Sequence, residues 1–121
     1  MTKERIILGF QGEEAACKYL LQHGYEIVTR NYRCKLGEMD VVARDGDTLV
    51  FVEVRTRGTN SFGIAEESVD WRKQQRLRKI AQYYLVSEHK KEVDCRFDVV
   101  TVNFGGAVNI TEQIKHYQGA F

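Results

Sequence analysis

Proline is missing altogether from this 121-residue sequence, and no low-complexity tract or internal repeat interrupts it. Proline-rich linkers and repeat architectures are therefore excluded. The only linker-like stretch covers residues 58–63, Gly-Thr-Asn-Ser-Phe-Gly, which we interpret as a loop inside a domain. A chain of this length suits one core of two or three layers, so we predict a single domain over residues 1–121.

An excess of charge is also lacking, because 18 lysines and arginines against 17 acidic residues leave a net charge of +1. The total does not indicate a strongly basic nucleic-acid binder, and only a local patch could bind nucleic acid. No apolar run approaches the roughly 18 residues that a membrane helix needs. The N-terminus also has no apolar segment typical of a signal peptide. We therefore expect no membrane partner.

Cysteine is scarce. Cys17, Cys34 and Cys95 are odd in number and widely spaced, and no Cys-x-x-Cys pair occurs. This spacing argues against a disulfide framework and against a zinc site. Together with the missing signal peptide, it predicts a protein of the reducing cytoplasm.

The most informative stretch that is present covers residues 37–57, where two apolar runs flank an Asp45-Gly46 dipeptide. Such a dipeptide between two apolar runs is a strong sequence signal for a β-hairpin. Each predicted strand carries a carboxylate where a buried strand usually has none, Asp40 in the first and Glu53 in the second.

The register of this hairpin decides how close the two carboxylates come. If Asp45-Gly46 is the loop, Glu53 is the diagonal neighbour of Asp40 on the same face, at roughly 7–8 Å. If the loop is Gly46-Asp47, Asp40 and Glu53 pair directly. Because side chains alternate between faces, either register puts both carboxylates on one face, with Arg55 beyond them.

Two hypotheses explain paired acidic side chains on one sheet face. Like charges repel unless something positive lies between them, and a divalent cation is one candidate. Mg²⁺ usually takes one or two protein carboxylates and keeps waters and phosphate oxygens in its other positions. Alternatively, Glu53 forms a structural ion pair with Arg55 or with a helix lysine.

The apolar spacing predicts an amphipathic helix over residues 3–23, before the hairpin. Gly9 and Gly12 lie inside it, and glycines there allow close approach by another backbone or by a ligand. Glu13 follows directly. It is either part of a solvated helix face or a carboxylate that leans over the hairpin.

A second and longer helix is predicted over residues 66–88. One of its stripes is apolar, and another consists of Arg72, Arg76 and Lys79 at positions i, i+4 and i+7. Such a stripe can follow a phosphate backbone, although a charged stripe is equally typical of a solvated face.

Lys73 differs from the charged stripe, because it lies one turn before Leu77 and continues the apolar stripe. We therefore expect its ammonium to point toward the end of the sheet where Glu53 and Arg55 lie.

Further strands are predicted over residues 25–32 and 95–103, with a short fifth strand over 108–111 and no element in the tail after it. A helix connecting two strands is a crossover, so the strands before and after the second helix should be parallel. The order predicts an α/β fold with a mixed sheet of four to five strands and helices packed on it.

The motifs in this order resemble a known family. The sequence is similar, along nearly its whole length, to the YraN family of uncharacterised bacterial proteins, through Gly12-Glu13 with Ala16, Gly37-Glu38-Met39-Asp40, Leu49-Val50-Phe51-Val52-Glu53-Val54-Arg55, Ser68-Val69, Lys73-Gln74-Gln75-Arg76-Leu77 and Phe97-Asp98-Val99-Val100. More broadly, it resembles the PD-(D/E)xK nucleases, which include archaeal-type Holliday-junction resolvases. That resemblance implies a restriction-endonuclease-like αβββαβ core.

The resemblance also implies roles by position. Glu13, Asp40 and Glu53 match the metal-binding acidic residues of the superfamily, which implies Mg²⁺ or Mn²⁺ as the cofactor. The carbonyl of Val54 would be a further ligand.

This sequence departs from the superfamily pattern at two positions. Met39 replaces the proline before the aspartate, and Arg55 stands at the position of the catalytic lysine. Arginine does not deprotonate near neutral pH, so it could not help generate the attacking hydroxide. It could still stabilise charge on the scissile phosphate, and an inward-pointing Lys73 could supply the missing ammonium.

Three functional hypotheses follow. The first is a metal-dependent endonuclease acting on branched or structured DNA, as a symmetric homodimer because a junction presents two equivalent strands. Its catalytic residues would be Glu13, Asp40, Glu53, Arg55 and Lys73, and its nucleic-acid-binding residues Arg57, Arg72, Arg76 and Lys79. The second is a nucleic-acid-binding protein that keeps the fold without efficient cleavage, which the arginine at position 55 favours. The third is a protein-interaction domain whose charges are all structural.

Overall fold

Helices cover both faces of a mixed sheet in the computed structural model, which describes residues 3–57, 69–88, 92–104 and 112–121. Within these ranges the elements are α1 (Lys3–Gln22), β1 (Glu26–Cys34), β2 (Gly37–Asp45), β3 (Thr48–Arg57), α2 (Trp71–Ser87), β4 (Cys95–Phe104) and β5 (Glu112–Tyr117). The strand order is β1-β2-β3-β4-β5, and β3 runs parallel to β4 while the other pairs are antiparallel. The predicted α/β fold, with its restriction-endonuclease-like αβββαβ order and parallel crossover, is confirmed. Neither described helix has the length and apolar character that crossing a bilayer requires.

The alternation of β3 sorts the core into two layers, one on each side of the sheet. Val50 and Val52 belong to the cluster under α1, whereas Leu49 and Phe51 belong to the cluster under α2. Glu53 has the parity of Leu49 and Phe51, so it lies on the α2 face of the sheet. The molecule therefore has three layers, and the carboxylate of Glu53 points into the layer between sheet and α2.

The hairpin between β2 and β3 has the later of the two predicted loops. Asp45 pairs with Thr48, so Gly46 and Asp47 form the loop and the Asp45-Gly46 alternative is wrong. The reason lies in the backbone of Gly46, whose φ of 61° is the left-handed conformation that two-residue hairpin loops need at their first position.

Helix α2 begins at Trp71, later than the predicted residue 66, and the predicted residues 66–68 lie outside the described part of the chain. Asp70 explains the later start, because it has extended backbone angles and its carboxylate accepts a hydrogen bond from the Lys73 N–H at 2.8 Å. An aspartate in this role satisfies a helix amide that has no partner within the helix.

Strand β5 was not predicted, and the short strand predicted over residues 108–111 lies outside the described residues. A buried carboxylate of β4 holds β5 and the tail after it in place. His116 Nε2 lies 2.7 Å from Asp98 Oδ2, and the Gly119 N–H donates to Asp98 Oδ1 at 3.0 Å. Arg96 Nε also donates to Asp98 Oδ1, at 2.8 Å. Burial would raise the pKa of Asp98, but these hydrogen bonds outweigh it and lower the pKa.

Candidate metal and nucleic-acid site

Asp40 lies where β2 separates from β3. The backbone pairs between these strands stop one pair before Asp40 and Glu53. Successive backbone amides of a strand face opposite neighbouring strands. The Leu49 N–H donates to the backbone carbonyl of Asp94, so the Leu49 amide faces β4. The amide of Val54 therefore faces β2, where it donates to Asp40 Oδ2 at 2.8 Å. The carboxylate of Asp40 thus replaces a backbone carbonyl as the acceptor at the point of divergence.

A break in side-chain alternation puts Asp40 in this position. Met39 packs with Val42 on the α2 face, whereas Val41 packs on the α1 face. Strict alternation would place Met39 on the same face of the sheet as Val41. The alternation of side chains is therefore interrupted at Asp40. Asn31 of the neighbouring strand has a φ of 52°, which marks an irregular backbone there as well. Asp40 therefore approaches Glu53 from the gap between β2 and β3. We predicted both carboxylates on one face from regular side-chain alternation, and that alternation does not hold at Asp40.

Glu53 meets two partners at the bottom of this gap. It is only 6 % exposed, and its carboxylate forms an ion pair with the ammonium of Lys73, which reaches down from α2. The predicted inward direction of Lys73 is thus confirmed. Asp40 is the second neighbour of Glu53, and the hydrogen-bonding interaction and the charge of Glu53 both raise the pKa of Asp40. Two neighbouring carboxyl groups favour a state in which one of them is protonated. We call Asp40 and Glu53 the acidic pair.

The raised pKa within the acidic pair is that of Asp40. Burial, and after it the hydrogen-bonding interaction and the charge of Glu53, together raise the pKa of Asp40 from 3.8 to about 8. The hydrogen bond from Val54 N–H opposes this shift, because it favours the ionised form. Near neutral pH the repulsion within the pair is therefore relieved by a proton on Asp40 and by the ammonium of Lys73.

Glu13 lies near the acidic pair without joining it. Helix α1 crosses β3 at Gly12, where a Cβ atom would come within 2.9 Å of the Cβ of Thr56. Glu13 follows this close crossing and is half-buried. Burial raises the pKa of Glu13, a hydrogen bond with Asn31 lowers it, and the charge of Glu13 in turn contributes to the raised pKa of Asp40.

The acidic pair offers the kind of donor set that Mg²⁺ accepts. Among the described residues, no group of three or more His, Cys, Asp or Glu side chains is arranged to hold a metal ion. The pair alone supplies oxygen donors from two carboxyl groups, and Mg²⁺ usually takes one or two carboxylates and completes its shell with water and phosphate oxygens. The donor chemistry thus fits Mg²⁺ or Mn²⁺, and the metal roles of Asp40, Glu53 and Glu13 stay predictions.

The two predicted arginines of β3 follow Glu53 along the same strand. Arg55 and Arg57 are half-buried and share the parity of Glu53, so they continue its face of the sheet. Their predicted contacts with phosphate stay predictions.

The predicted cationic stripe on α2 lies in one exposed surface depression. Its lining consists of Leu36, Trp71, Arg72, Gln75, Arg76 and Lys79. No carboxylate is among these lining residues. Trp71, which is 71 % exposed, was not recognised from the sequence. The sequence could have indicated it, because the only tryptophan of the chain directly precedes Arg72, the first residue of the cationic stripe.

Comparison with known proteins places this arrangement in a family. A sequence model of the uncharacterised protein family UPF0102 matches residues 12–102, which include both carboxylates of the acidic pair. A UPF0102 protein of Desulforamulus reducens is 48% identical over 122 residues, covering 99% of this chain and 99% of its own. The UPF0102 protein of Pelotomaculum thermopropionicum is 46% identical over the full length of both chains. That of Moorella thermoacetica is 53% identical over 102 residues, covering 84% of this chain and 85% of its own. The chain therefore belongs to the uncharacterised protein family UPF0102, the YraN-type family that its motifs resemble.

Proposed function

We propose that this protein is a metal-dependent endonuclease that hydrolyses phosphodiester bonds in branched or otherwise structured DNA. The acidic pair is the observation that carries this proposal. Asp40 and Glu53 meet where two strands separate, and burial together with the neighbouring Glu53 raises the pKa of Asp40 to about 8. A divalent cation can take the place of the proton on Asp40, which an isolated structural ion pair would not allow.

The residues that would hold the ion are Asp40 and Glu53, with Glu13 as a further carboxylate from α1. Bound there, Mg²⁺ or Mn²⁺ would polarise a phosphate oxygen and lower the pKa of a coordinated water. Lys73 brings an ammonium directly to the acidic pair, where it can offset negative charge on a phosphate. An arginine side chain does not act as a base near neutral pH, so the part of Arg55 would be to stabilise charge.

Binding of the nucleic acid would fall to the cations around this site. Arg72 and Lys79 are exposed on α2 together with Arg76, and Arg57 ends β3 two residues beyond Arg55. Contacts of this kind neutralise phosphates and fix the register of the ligand without reading its sequence. A substrate with two equivalent strands would engage two copies of the protein, which is why we include a homodimer in the proposal.

The proposed compartment is the reducing cytoplasm. Cys17, Cys34 and Cys95 all carry free thiols, which agrees with a compartment that does not oxidise them.

Nucleic-acid binding without cleavage is the second candidate, and two observations favour it. Arg55 stands where the superfamily has a lysine. In addition, Lys73 already forms an ion pair with Glu53, so part of the charge of the acidic pair is satisfied without a metal.

Cleavage of a labelled four-way junction separates the two candidates. We expect a product that requires Mg²⁺ or Mn²⁺ with the unchanged protein, and none with Glu53→Gln, which keeps the shape of the side chain and removes its charge. Asp47→Asn is the matched control, because Asp47 is an exposed carboxylate in the loop of the same hairpin. This variant should cleave like the unchanged protein.

The outcomes of this assay differ clearly. A gel shift with no metal-dependent product would leave the binding protein as the function. A product that forms equally with Glu53→Gln would come from a contaminating nuclease or from another site, and it would contradict the proposal. Failure to bind any nucleic acid at low salt would remove both candidates.

A further inference from the structure

We infer that Trp71 is a stacking platform for an unpaired nucleobase, beside cations that bind the flanking phosphates. This inference rests on the proposed binding of nucleic acid and makes its ligand specific. The ligand would be a single-stranded segment, such as an overhang, a flap or an opened junction arm, and not the paired interior of a duplex.

The exposure of Trp71 is the first observation. Its side chain is 71 % exposed at the start of α2, where it contributes little to the core under that helix. Single exposed apolar residues are common and carry no meaning alone. Val86 shows this on the same helix, since it is 72 % exposed and lies outside the depression.

The surroundings of Trp71 are the second observation. The depression that it lines contains the cations Arg72, Arg76 and Lys79 and no acidic residue among its lining side chains. The whole chain has a net charge of only +1, so this local accumulation stands out. Its charge is complementary to a phosphate backbone.

The combination of ring and cations matches single strands in particular. A single-stranded site needs an aromatic face on which a base can stack and cations that follow the backbone. The depression has both, and Leu36, which is 40 % exposed, adds an apolar side chain from the β1–β2 turn. The interior of a duplex hides the faces of its bases, so away from the duplex ends only the phosphates could use this surface.

The position of the depression relative to the acidic pair is the third observation. Arg72 and Lys73 are consecutive residues, about 100° apart around the helix. The first lines the depression, and the ammonium of the second reaches Glu53. The first turn of α2 thus carries the stacking surface on one side and a contact to the acidic pair on another.

Tryptophan fluorescence, excited selectively over that of tyrosine, reports on this site alone because the chain has a single tryptophan. The experiment uses the full chain in EDTA at low salt, with a labelled DNA duplex that is either blunt or carries a short single-stranded overhang. We expect the overhang to bind more tightly than the blunt duplex and to quench Trp71 fluorescence. Trp71→Ala should weaken binding of the overhang about 5- to 150-fold, the range for loss of one base–aromatic stack, with little effect on the blunt duplex.

Matched variants separate stacking from charge, with anisotropy of the labelled DNA as the readout. Trp71→Phe keeps a ring and should retain part of the preference for the overhang. Val86→Ala removes an equally exposed side chain outside the depression and should change nothing. Arg76→Ala should weaken the overhang and the blunt duplex alike, because it removes a phosphate contact.

Several outcomes would overturn the inference. Equal binding of the overhang by Trp71→Ala and the unchanged protein would do so, as would tryptophan fluorescence that does not respond to bound DNA. Binding of an acidic peptide but of no nucleic acid would remove the inference and the proposed function together. By contrast, stacking in EDTA without any metal-dependent cleavage supports the inference and removes only the catalytic part of the proposal.

Discussion

Replacing Asp40 by asparagine should remove a pH-dependent loss of stability from the metal-free protein. The pKa of Asp40 is about 8 in the folded protein, because of burial and of Glu53, against 3.8 for an unperturbed aspartate. Between these values the folded protein keeps a proton that the unfolded chain releases. The stabilising contribution of the protonated carboxyl is complete below about pH 4 and is lost progressively until about pH 8.

The expected magnitude follows from this window. Each pH unit within it costs about 1.4 kcal/mol of unfolding free energy for one differentially bound proton. From pH 5 to pH 8, Asp40 should therefore remove roughly 3–4 kcal/mol from the stability of the unchanged protein. Asparagine does not titrate, and it can still accept from Val54 N–H and donate to Glu53, as the protonated aspartate does.

Urea unfolding in EDTA at several values between pH 5 and pH 9 measures this difference. We expect the unfolding free energy of Asp40→Asn, relative to that of the unchanged protein, to rise across the window and to level off above about pH 8. Asp47→Asn controls for the loss of one carboxylate at the other end of the hairpin, and its profile should follow that of the unchanged protein. Parallel profiles for Asp40→Asn and the unchanged protein would refute the reasoning, because they would mean that Asp40 is ionised at neutral pH.

Three further predictions concern the same fold. Stabilisation by Mg²⁺ or Mn²⁺ in thermal melts should grow with pH up to about 8, because the metal must displace the proton of the acidic pair, and it should be absent in Glu53→Gln. Gly12→Ala should lower the unfolding free energy by about 1–3 kcal/mol through the clash with Thr56, whereas Gly9→Ala, which has no neighbour within 4 Å, should raise it. Asp98→Ala should cost about 1–3 kcal/mol in urea unfolding and should make the C-terminal tail more sensitive to carboxypeptidase, since His116 and the Gly119 N–H lose their buried acceptor while Arg96 keeps Asp45 as a partner.

Much of the fold could be predicted from the periodicity of apolar residues and from the residue types at turns. The errors have identifiable causes. The parallel pairing of β3 and β4 followed from the helix that connects them. The sequence left two hairpin registers that differ by one residue, because Gly46 has an aspartate on either side. Only the backbone conformation of Gly46 decides between the two loops. Strand β5 could not be predicted, since His116 and its neighbours are held by the buried carboxylate of Asp98 and not by an apolar pattern of their own.

The candidate site shows the same division between local pattern and tertiary structure. The inward direction of Lys73 was predictable, because it continues the apolar stripe of α2. The position of Asp40 in the gap between β2 and β3 was not, because it depends on a reversal of alternation between Met39 and Val41 that the sequence does not mark. The importance of Trp71 also escaped sequence reasoning, since its exposure is a property of how α2 packs.

The ion-pair hypothesis and the proposed metal site make different demands on Asp40. A structural ion pair is complete with Glu53 and Lys73. Asp40 adds a second, half-buried carboxyl beside them, and its raised pKa means that the folded state loses stability at neutral pH by containing it. An uncharged side chain that accepts from Val54 would avoid this loss. A carboxyl kept at such a cost is typical of a site that needs its charge for a ligand, and a divalent cation is the ligand that would turn the repulsion into binding.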